Sequence, residues 1–271
     1  MSAPAERDVP LVSVITISRH DLDGLRATLP SVSAQTYPRI EHIVLDAGSG
    51  PDVESYLESR EGLHYWHSRI DRGRYDAMNQ GAALANGDVL WWLHSGDAFT
   101  SPSAVGDMIG LLTDRGRRSA RERWGFGRVD RRDSAGRSLG VWGHIPFEHA
   151  KFSWGIRPIP HQATAVGADL FARSGPYDDD FGLAADHLLM ARLACAQRPD
   201  TTSGVLVDFD VTGAGSVRSV AEHHADIRRA WDELGTYPLG SRAWSRVASH
   251  ALSLSVSARV QAKRILIGGV R

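Results

Sequence analysis

The chain has very little cysteine and no surplus of charge. Cys195 is the single cysteine among 271 residues, which excludes an intramolecular disulfide and a zinc cluster built from cysteines. Lys and Arg number 31 against 32 Asp and Glu, so the net charge of -1 gives no general attraction for nucleic acid. No stretch approaches the roughly 18 apolar residues of a transmembrane helix, and the N-terminus has no apolar run of signal-peptide length. These absences favour a cytoplasmic protein that does not bind nucleic acid.

Apolar periodicity in the first hundred residues predicts an α/β fold. Short apolar runs at 11–18, 40–45 and 89–93 are typical of strands covered on both faces, and residues 63–67 predict a further strand. Helical patterns at 22–32, 53–57 and 75–85 alternate with these strands. The alternation predicts an open, twisted and mostly parallel sheet with helices on both faces.

The pattern changes after residue 102. Residues 124–129 and 138–142 predict an antiparallel hairpin added to the sheet, residues 163–171 a strand leading into a helix, and residues 183–195 an amphipathic helix. The tail from residue 223 predicts two helical pieces separated near residues 238–240. We therefore expect one domain over residues 1–220 and a C-terminal helical extension over 221–271.

Two carboxylates follow predicted strands directly. Asp46 ends the run at 40–45, and Asp97 comes after the run at 89–93. Ligands of open α/β sheets collect at the carboxyl ends of strands, so both residues are candidates for binding. For Asp46 the structural alternative is turn formation, for which D-A-G-S-G is well suited, and for Asp97 it is capping of the next helix.

The order of several motifs resembles a known family. In the first hundred residues these are V-S-V-I-T-I-S, Q-T-Y-P, I-V-L-D-A-G-S-G, D-R-G-R-Y-D-A-M-N-Q-G and L-H-S-G-D, and P-H-Q-A-T and G-P-Y-D-D-D-F-G-L-A-A-D-H-L-L-M follow later. Together, over residues 11–220, they resemble family 2 inverting glycosyltransferases with the GT-A fold. The bacterial exopolysaccharide and cell-surface glycan subgroup is the most similar.

The resemblance implies a nucleotide-sugar donor, with a UDP-sugar as the first choice, bound by about residues 11–100. Asp46 matches the residue that reads the donor base. The other positions implied to line the donor site are Thr16, Ser18, Asp71, Arg72, Tyr75, Asp76, Asn79, Ser95 and Gly96. For Asp71 and Arg72 a surface ion pair is the structural alternative, and for Asp76 it is stabilisation of a helix start.

The resemblance also implies a divalent cation, Mn²⁺ or Mg²⁺, held by Asp97 against the donor diphosphate. Relatives usually have two or three acidic residues at this point, whereas His94, Ser95 and Gly96 precede the single Asp97 here. Hard divalent ions prefer oxygen ligands, and phosphate oxygens and water can complete the coordination around one carboxylate. Whether Asp97 alone secures the metal is therefore left open by the sequence.

The acceptor half, at about residues 101–220, contains the implied catalytic base. Asp186 matches the family aspartate that removes the proton of the acceptor hydroxyl, although an Asp at a helix start is also a common N-cap. His161, Gln162 and His187 match acceptor-side positions, and a loop of Gly213, Gly215 and Ser216 resembles one that closes on the donor phosphates. The acceptor is expected to be a glycan, a lipid-linked molecule or a small molecule with a hydroxyl group.

Two other functions remain open at this point. A nucleotidyltransferase would share the sheet and the metal-bound nucleotide, but R-H-D-L-D-G-L after the first strand is a poor phosphate loop. A non-catalytic sugar-nucleotide or glycan-binding protein would explain the reduced acidic motif, although it would not explain Asp186. The basic, amphipathic C-terminal helix could lie peripherally on the inner face of a membrane, or pack on its own domain or a partner. The sequence does not disclose the oligomeric state.

Overall fold

The structure is a computed structural model that describes residues 9–114, 119–212 and 219–268. The described residues form two compact units. The first lies within Met1–Phe147 and Ile159–Thr212, and the second within Glu148–Pro158 and Gly213–Arg271. The predicted loop of Gly213, Gly215 and Ser216 lies outside the described residues.

The first unit begins with four parallel strands in the order β3-β2-β1-β4. These are β1 (Val12–Ser18), β2 (Ile40–Asp46), β3 (Tyr65–Ser68) and β4 (Val89–Trp92), and the helices between them are α1 (Leu22–Ser33), α2 (Pro51–Glu58) and α3 (Arg74–Leu84). Every residue of β1 and of β4 is buried, as the unbroken apolar runs predict for strands covered on both faces.

Close packing of α3 on the sheet depends on one glycine. A Cβ atom at Gly81 would lie 2.4 Å from Cγ2 of Ile15 in β1, so a larger residue would push the helix away from the strand. The N-terminus of α3 is thereby held beside the carboxyl ends of β1 and β4, which positions its first residues for a role at that edge of the sheet.

The rest of the first unit adds antiparallel pairings to the same sheet. Its strands are β5 (Ala98–Phe99), β6 (Trp124–Arg132), β7 (Ser138–Trp142), β8 (Thr164–Gly167) and β9 (Asp200–Asp210). Its α-helices are α4 (Ala104–Thr113), α6 (Ala168–Ser174) and α7 (Ala185–Ala196), and a 3-10 helix, Asp179–Ala184, precedes α7. Over the described residues the strand order is β3-β2-β1-β4-β8-β6-β9-β5, with β7 paired to β6 as the predicted hairpin. The predicted α/β fold with its mostly parallel sheet is confirmed.

The long strand β9 was not predicted. Its sequence, D-T-T-S-G-V-L-V-D-F-D, interrupts the apolar positions with Gly204 and with acidic residues, so it has no clear period of two. In the structure β9 pairs in parallel with β6, and its end at Asp208 pairs with Ala98 of β5. This pairing brings Asp210 to the turn that follows β4.

The second unit is helical. It contains α5 (His149–Ser153), α8 (Val220–Leu234) and α9 (Arg242–Gly268), and the predicted break between the two C-terminal helices is confirmed. A capping box of Ser219 and Glu222 starts α8, and Gly235 ends it with a φ of 62°. Trp231 of α8 is buried and donates its indole N–H to the carbonyl oxygen of Ser153. Over the described part of the chain, no helix is both long enough and apolar enough to cross a membrane.

Candidate active site

The carboxyl ends of β1, β2 and β4 meet at one edge of the sheet, where Ser18, Asp46 and the turn after Trp92 lie. Asp46 is 1% exposed and accepts hydrogen bonds from the backbone N–H of Ser49 at 2.8 Å and from the hydroxyls of Ser49 and Ser68. The carboxylate therefore closes the turn after β2, and a donor base would have to share it with these serines.

The two polar residues of β1 differ in their surroundings. The hydroxyl of Thr16 lies 2.9 Å from Nε2 of His42 in the interior of the sheet, where burial lowers the pKa of His42 to about 3. Thr16 thus stabilises a neutral buried histidine. Ser18 is also buried, and its hydroxyl has no hydrogen-bond partner within the described ranges, so it is the member of the pair whose hydroxyl is left unsatisfied.

The predicted acidic and basic residues before α3 form a local network. Asp71 accepts a hydrogen bond from the N–H of Gly73, and Arg72 donates to Asp76 at 2.6 Å. The side chain of Arg72 is 80% exposed and also approaches Asp179 at 3.6 Å. The guanidinium of Arg72 lowers the pKa of Asp76, as expected for an ion pair at a helix start.

Tyr75 and Asn79 connect α3 to the segment that precedes α7. The side chain of Asn79 donates to the carbonyl oxygen of Tyr177 and accepts from its N–H, both at 2.9 Å. Tyr75 stacks on Tyr177 with ring centroids 5.6 Å apart and donates its hydroxyl to the carbonyl oxygen of Leu183 at 3.1 Å. These two predicted donor-site residues therefore hold the chain that leads to Asp186.

The turn from His94 to Asp97 explains the reduced acidic motif. The N–H of Asp97 donates to the carbonyl oxygen of His94 at 3.0 Å, and Gly96, at the third position, has a φ of 92°. A type II turn requires this left-handed conformation, which favours glycine. A Cβ atom at Gly96 would also lie 3.1 Å from Oδ2 of Asp210, so an acidic side chain is disfavoured at this position for two reasons.

Thr28 of α1 fixes this turn from the other side. Its hydroxyl donates to the carbonyl oxygen of Asp97 at 2.7 Å and accepts from the N–H of Gly96 at 3.1 Å. Ser95 adds a backbone hydrogen bond to the carbonyl oxygen of Ile17 in β1. The turn is thus tied to both a helix and a strand, and the position of Asp97 follows from these contacts.

Asp97 lies beside a second carboxylate that the sequence analysis did not single out. Asp97 is 3% exposed, and its Oδ1 accepts the N–H of Asp210 at 3.0 Å. Burial raises the pKa of Asp97 well above its usual range, and the charge of Asp210 raises it further. Two adjacent carboxylates of this kind are the oxygen ligands that a divalent cation prefers. Over the described residues, no group of three or more His, Cys, Asp or Glu side chains is arranged to hold a metal.

Arg74 is the second residue that the sequence analysis missed. It is the first residue of α3, is half-buried, and forms no hydrogen bond or ion pair with the described residues. Its charge acts on three groups of the site, because it lowers the pKa of Asp97, His94 and His161. Arg72 is engaged by Asp76, whereas Arg74 forms no ion pair with the described residues, so Arg74 is the better candidate of the two for contact with an anionic ligand.

Histidine and tyrosine side chains form the neighbouring part of the site. His161 lies with its Nε2 2.7 Å from the hydroxyl of Tyr177, and its ring centroid is 5.6 Å from that of His94. Burial lowers the pKa of His161 to about 4, so this histidine is neutral at pH 7. The Nε2 atom of His94 is buried without a hydrogen-bond partner among the described residues.

Asp186 lies in the first turn of α7 and is half-buried. Its Oδ1 accepts the backbone N–H of His187 at 2.7 Å. The charge of Asp186 raises the pKa of Tyr177, which burial already raises, and it opposes the lowering of the His161 pKa. Asp186 therefore lies close to the His161–Tyr177 pair.

The other two acceptor-side residues have different surroundings. Gln162 accepts the indole N–H of Trp91 with its backbone oxygen, and it and His187 are half-buried. The structure thus brings Asp97, His161 and Asp186 into one electrostatic environment through Arg74, His94 and Tyr177, whereas Arg72 and Asp76 form a separate pair at the start of α3.

The fold is that of GT-A glycosyltransferases. Residues 13–156 match the model of glycosyl transferase family 2, and the chain belongs to that family.

Two relatives from mycobacteria agree with this assignment. The chain is 50% identical over 235 residues to an uncharacterized glycosyltransferase of Mycobacterium tuberculosis (strain H37Rv), which covers 86% of this chain and 87% of the relative. It is 26% identical over 191 residues to the PGL/p-HBAD biosynthesis glycosyltransferase of Mycobacterium bovis (strain BCG), and the matched region covers 65% of this chain and 67% of that relative.

Solved structures share the fold. TarS of S. aureus has a TM-score of 0.63 at 14% identity, over 87% of this chain and 41% of TarS. A TarS 1-349 structure is a complex with UDP-GlcNAc. The mannosyltransferase PcManGT of Pyrobaculum calidifontis, in complex with GDP-Man and Mn²⁺, has a TM-score of 0.61 at 18% identity, over 98% of this chain and 81% of that one.

Proposed function

We propose that this glycosyltransferase moves a sugar from a nucleoside diphosphate to an acceptor hydroxyl with inversion, and that Asp186 is the base. The observation that carries the proposal is the position of Asp186, half-buried at the start of α7 beside the neutral His161–Tyr177 pair. Both members of this pair are neutral at pH 7, because burial lowers the pKa of His161 to about 4 and raises that of Tyr177, so the pair places no positive charge against the carboxylate that accepts the proton.

The chemistry needs one base. Asp186 removes the proton of the acceptor hydroxyl while the oxygen attacks the anomeric carbon from the face opposite the diphosphate. The bond between the anomeric carbon and the diphosphate oxygen breaks, and the electron pair leaves with the diphosphate. His161 and Tyr177 position the acceptor, together with Gln162 and His187 on the same side.

The oxygen donors of Asp97 and Asp210 fit a hard divalent cation, Mn²⁺ or Mg²⁺. When bound, such an ion neutralises charge on the leaving diphosphate. Arg74 supplies a second positive charge from the N-terminus of α3, where the helix dipole also favours anions. Ser95 and Gly96 orient the turn that presents Asp97.

The donor base is assigned to the edge formed by Ser18 and Asp46, with Thr16 behind it. We propose a UDP-sugar as the first donor to test. Structures of this fold hold UDP-GlcNAc in TarS and GDP-Man in PcManGT, which supports a nucleotide-sugar donor without choosing the base. The acceptor is a glycan, a lipid-linked molecule or a small molecule, within cell-surface polysaccharide synthesis.

The proposal extends to location and domain roles. The single cysteine suits a reducing cytoplasm. Residues 1–220 would form the transferase domain, and residues 221–271 a helical extension with peripheral contact to the inner face of the membrane.

Substitution Asp186→Asn tests the base. We expect transfer to be lost while calorimetric donor affinity stays within about threefold of the wild type, because only the proton acceptor is removed. Asp52→Asn, on an exposed helix start, is the matched control. Near wild-type turnover of Asp186→Asn would rule the proposal out. Product analysis separates the alternatives, because a nucleotidyltransferase releases pyrophosphate and a binding protein releases nothing.

A further inference from the structure

Helix α9 has the reverse of the usual amphipathic arrangement. The side that packs on α8 contains Ser245, Ser249 and Ser253, which are 0%, 0% and 8% exposed. Ser249 accepts a hydrogen bond from Arg228 of α8 at 3.1 Å. Large apolar side chains of α9 are instead exposed, with Trp244 at 69% and Leu254 at 73%. A helix that only covered its own unit would have these two sets exchanged.

The exposed apolar residues form a continuous stripe. We define the α9 stripe as Trp244, Val247, Ala251, Leu254 and Ala258, all of which are exposed. Spacings of three and four residues place them on one face of the helix, and the stripe runs for roughly 20 Å. A stripe of this length is larger than the isolated exposed apolar residues of an ordinary surface.

The charge of the helix indicates what covers the stripe. Between Arg242 and Gly268 the sequence has five Lys and Arg residues and no Asp or Glu. Arg242 and Arg246 both pair with Asp232 of α8, and Arg259 flanks the stripe in an exposed position. Because α9 has no acidic residue, a second copy of the helix offers no charge that complements its basic residues. An anionic lipid surface complements both the charge and the apolar stripe.

We propose that the α9 stripe docks in the plane of a bilayer that contains anionic phospholipids. Trp244, Val247 and Leu254 enter the boundary between headgroups and acyl chains, and Arg259 contacts lipid phosphates. The proposal rests on the peripheral membrane contact of the proposed function and specifies the residues that make it, but it does not depend on which sugar or acceptor the enzyme uses.

Vesicle sedimentation of the full-length protein, without donor or acceptor, tests the proposal. We expect about tenfold or stronger binding to vesicles of phosphatidylcholine and phosphatidylglycerol than to phosphatidylcholine alone, and weaker binding at high salt. The double substitution Trp244→Gln and Leu254→Gln should abolish binding to both compositions. The matched control is Leu139→Gln with Val141→Gln, which removes two half-exposed apolar side chains of β7 and should bind like the wild type.

Circular dichroism and thermal unfolding of each variant check that the helices are retained. Absence of binding to the anionic vesicles would overturn the proposal, as would equal loss in the β7 control. Light scattering tests the remaining alternative, a dimer. If the wild type is a dimer and the Trp244→Gln and Leu254→Gln variant is a monomer, the stripe binds a second copy of the chain and the proposal is overturned. If the wild-type protein shows no transfer activity in solution, the proposed function fails, but the vesicle-binding result still stands.

Discussion

At the scale of single residues, Arg74 is a cation of the site that forms no ion pair with the described residues. Arg74 begins α3, and its charge acts on Asp97, His94 and His161. We expect Arg74→Met to raise the KM for the donor by roughly 10- to 100-fold, because a charge-assisted contact to the diphosphate is lost. The assay is initial-rate kinetics with varied donor. Arg26→Met, which removes an exposed guanidinium of α1, is the control, and an equal KM change in both variants would contradict the assignment.

Asp97 and Asp210 provide a second test at this scale. If both carboxylates contact the metal, Asp97→Asn and Asp210→Asn should each reduce the gain in donor affinity that Mn²⁺ produces, by about tenfold or more. Calorimetry with and without Mn²⁺ measures this gain directly and needs no turnover. An unchanged Mn²⁺ effect in Asp210→Asn would leave Asp97 as the single protein ligand.

Some residues of the candidate site could be predicted from the sequence, and others could not. Asp97 and Asp186 follow from motifs, because each stands next to a strand or helix with a clear apolar period. Asp210 could not be found in this way, since its proximity to Asp97 depends on the parallel pairing of β9 with β6. Arg74 lies in the motif D-R-G-R-Y-D-A-M-N-Q-G, but the sequence does not show which of its two arginines is available to the donor. The structure shows it, because Arg72 forms an ion pair with Asp76.

At the scale of elements, the turn from His94 to Asp97 is the connection on which the site depends. We expect Gly96→Ala to lower the free energy of unfolding by about 2 kcal/mol or more, because alanine is strained at a φ of 92° and its Cβ would crowd Asp210. Gly136→Ala is the matched control, since Gly136 has a φ of 72° but open space around it. Urea unfolding of both variants separates the two effects, and equal losses would show that Asp210 does not restrict this position.

Elements with strong periods were predictable, and elements that depend on partners were not. Strands β1, β2 and β4 are almost entirely buried, as their apolar runs predict, whereas β3 at the edge of the sheet is only half-buried. The hairpin of β6 and β7 was found from its polar turn. Strand β9 and the two-residue β5 were missed, because they are defined by hydrogen bonds to distant strands rather than by a local pattern. The inclusion of 148–158 in the second unit has no local signal either.

At the scale of the whole molecule, buried neutral histidines make the stability of the fold depend on pH. Burial lowers the pKa of His42 to about 3, whereas the unfolded chain has a value of about 6.5. Its folded pKa is depressed, so its contribution is complete above pH 6.5 and is lost as the pH falls towards 3. At pH 5, which is about 1.5 units below 6.5, the loss of stability is about 2 kcal/mol, because each pH unit corresponds to about 1.36 kcal/mol.

His42→Gln isolates this contribution, because glutamine can still hydrogen-bond to Thr16 but does not titrate. Asp97 responds in the opposite direction, because its raised pKa makes its contribution to folding stability fall as the pH rises. Both proteins contain Asp97, so its effect cancels when the variant is compared with the wild type. We therefore expect the difference in unfolding free energy between the two proteins to shift by about 2 kcal/mol in favour of His42→Gln between pH 7 and pH 5. Urea unfolding at both pH values measures this shift.

His250→Gln, at an exposed position of α9, should leave the wild-type profile unchanged. Parallel profiles for His42→Gln and the wild type would mean that His42 does not remain neutral on folding, and the acid sensitivity would then have to come from the carboxylates.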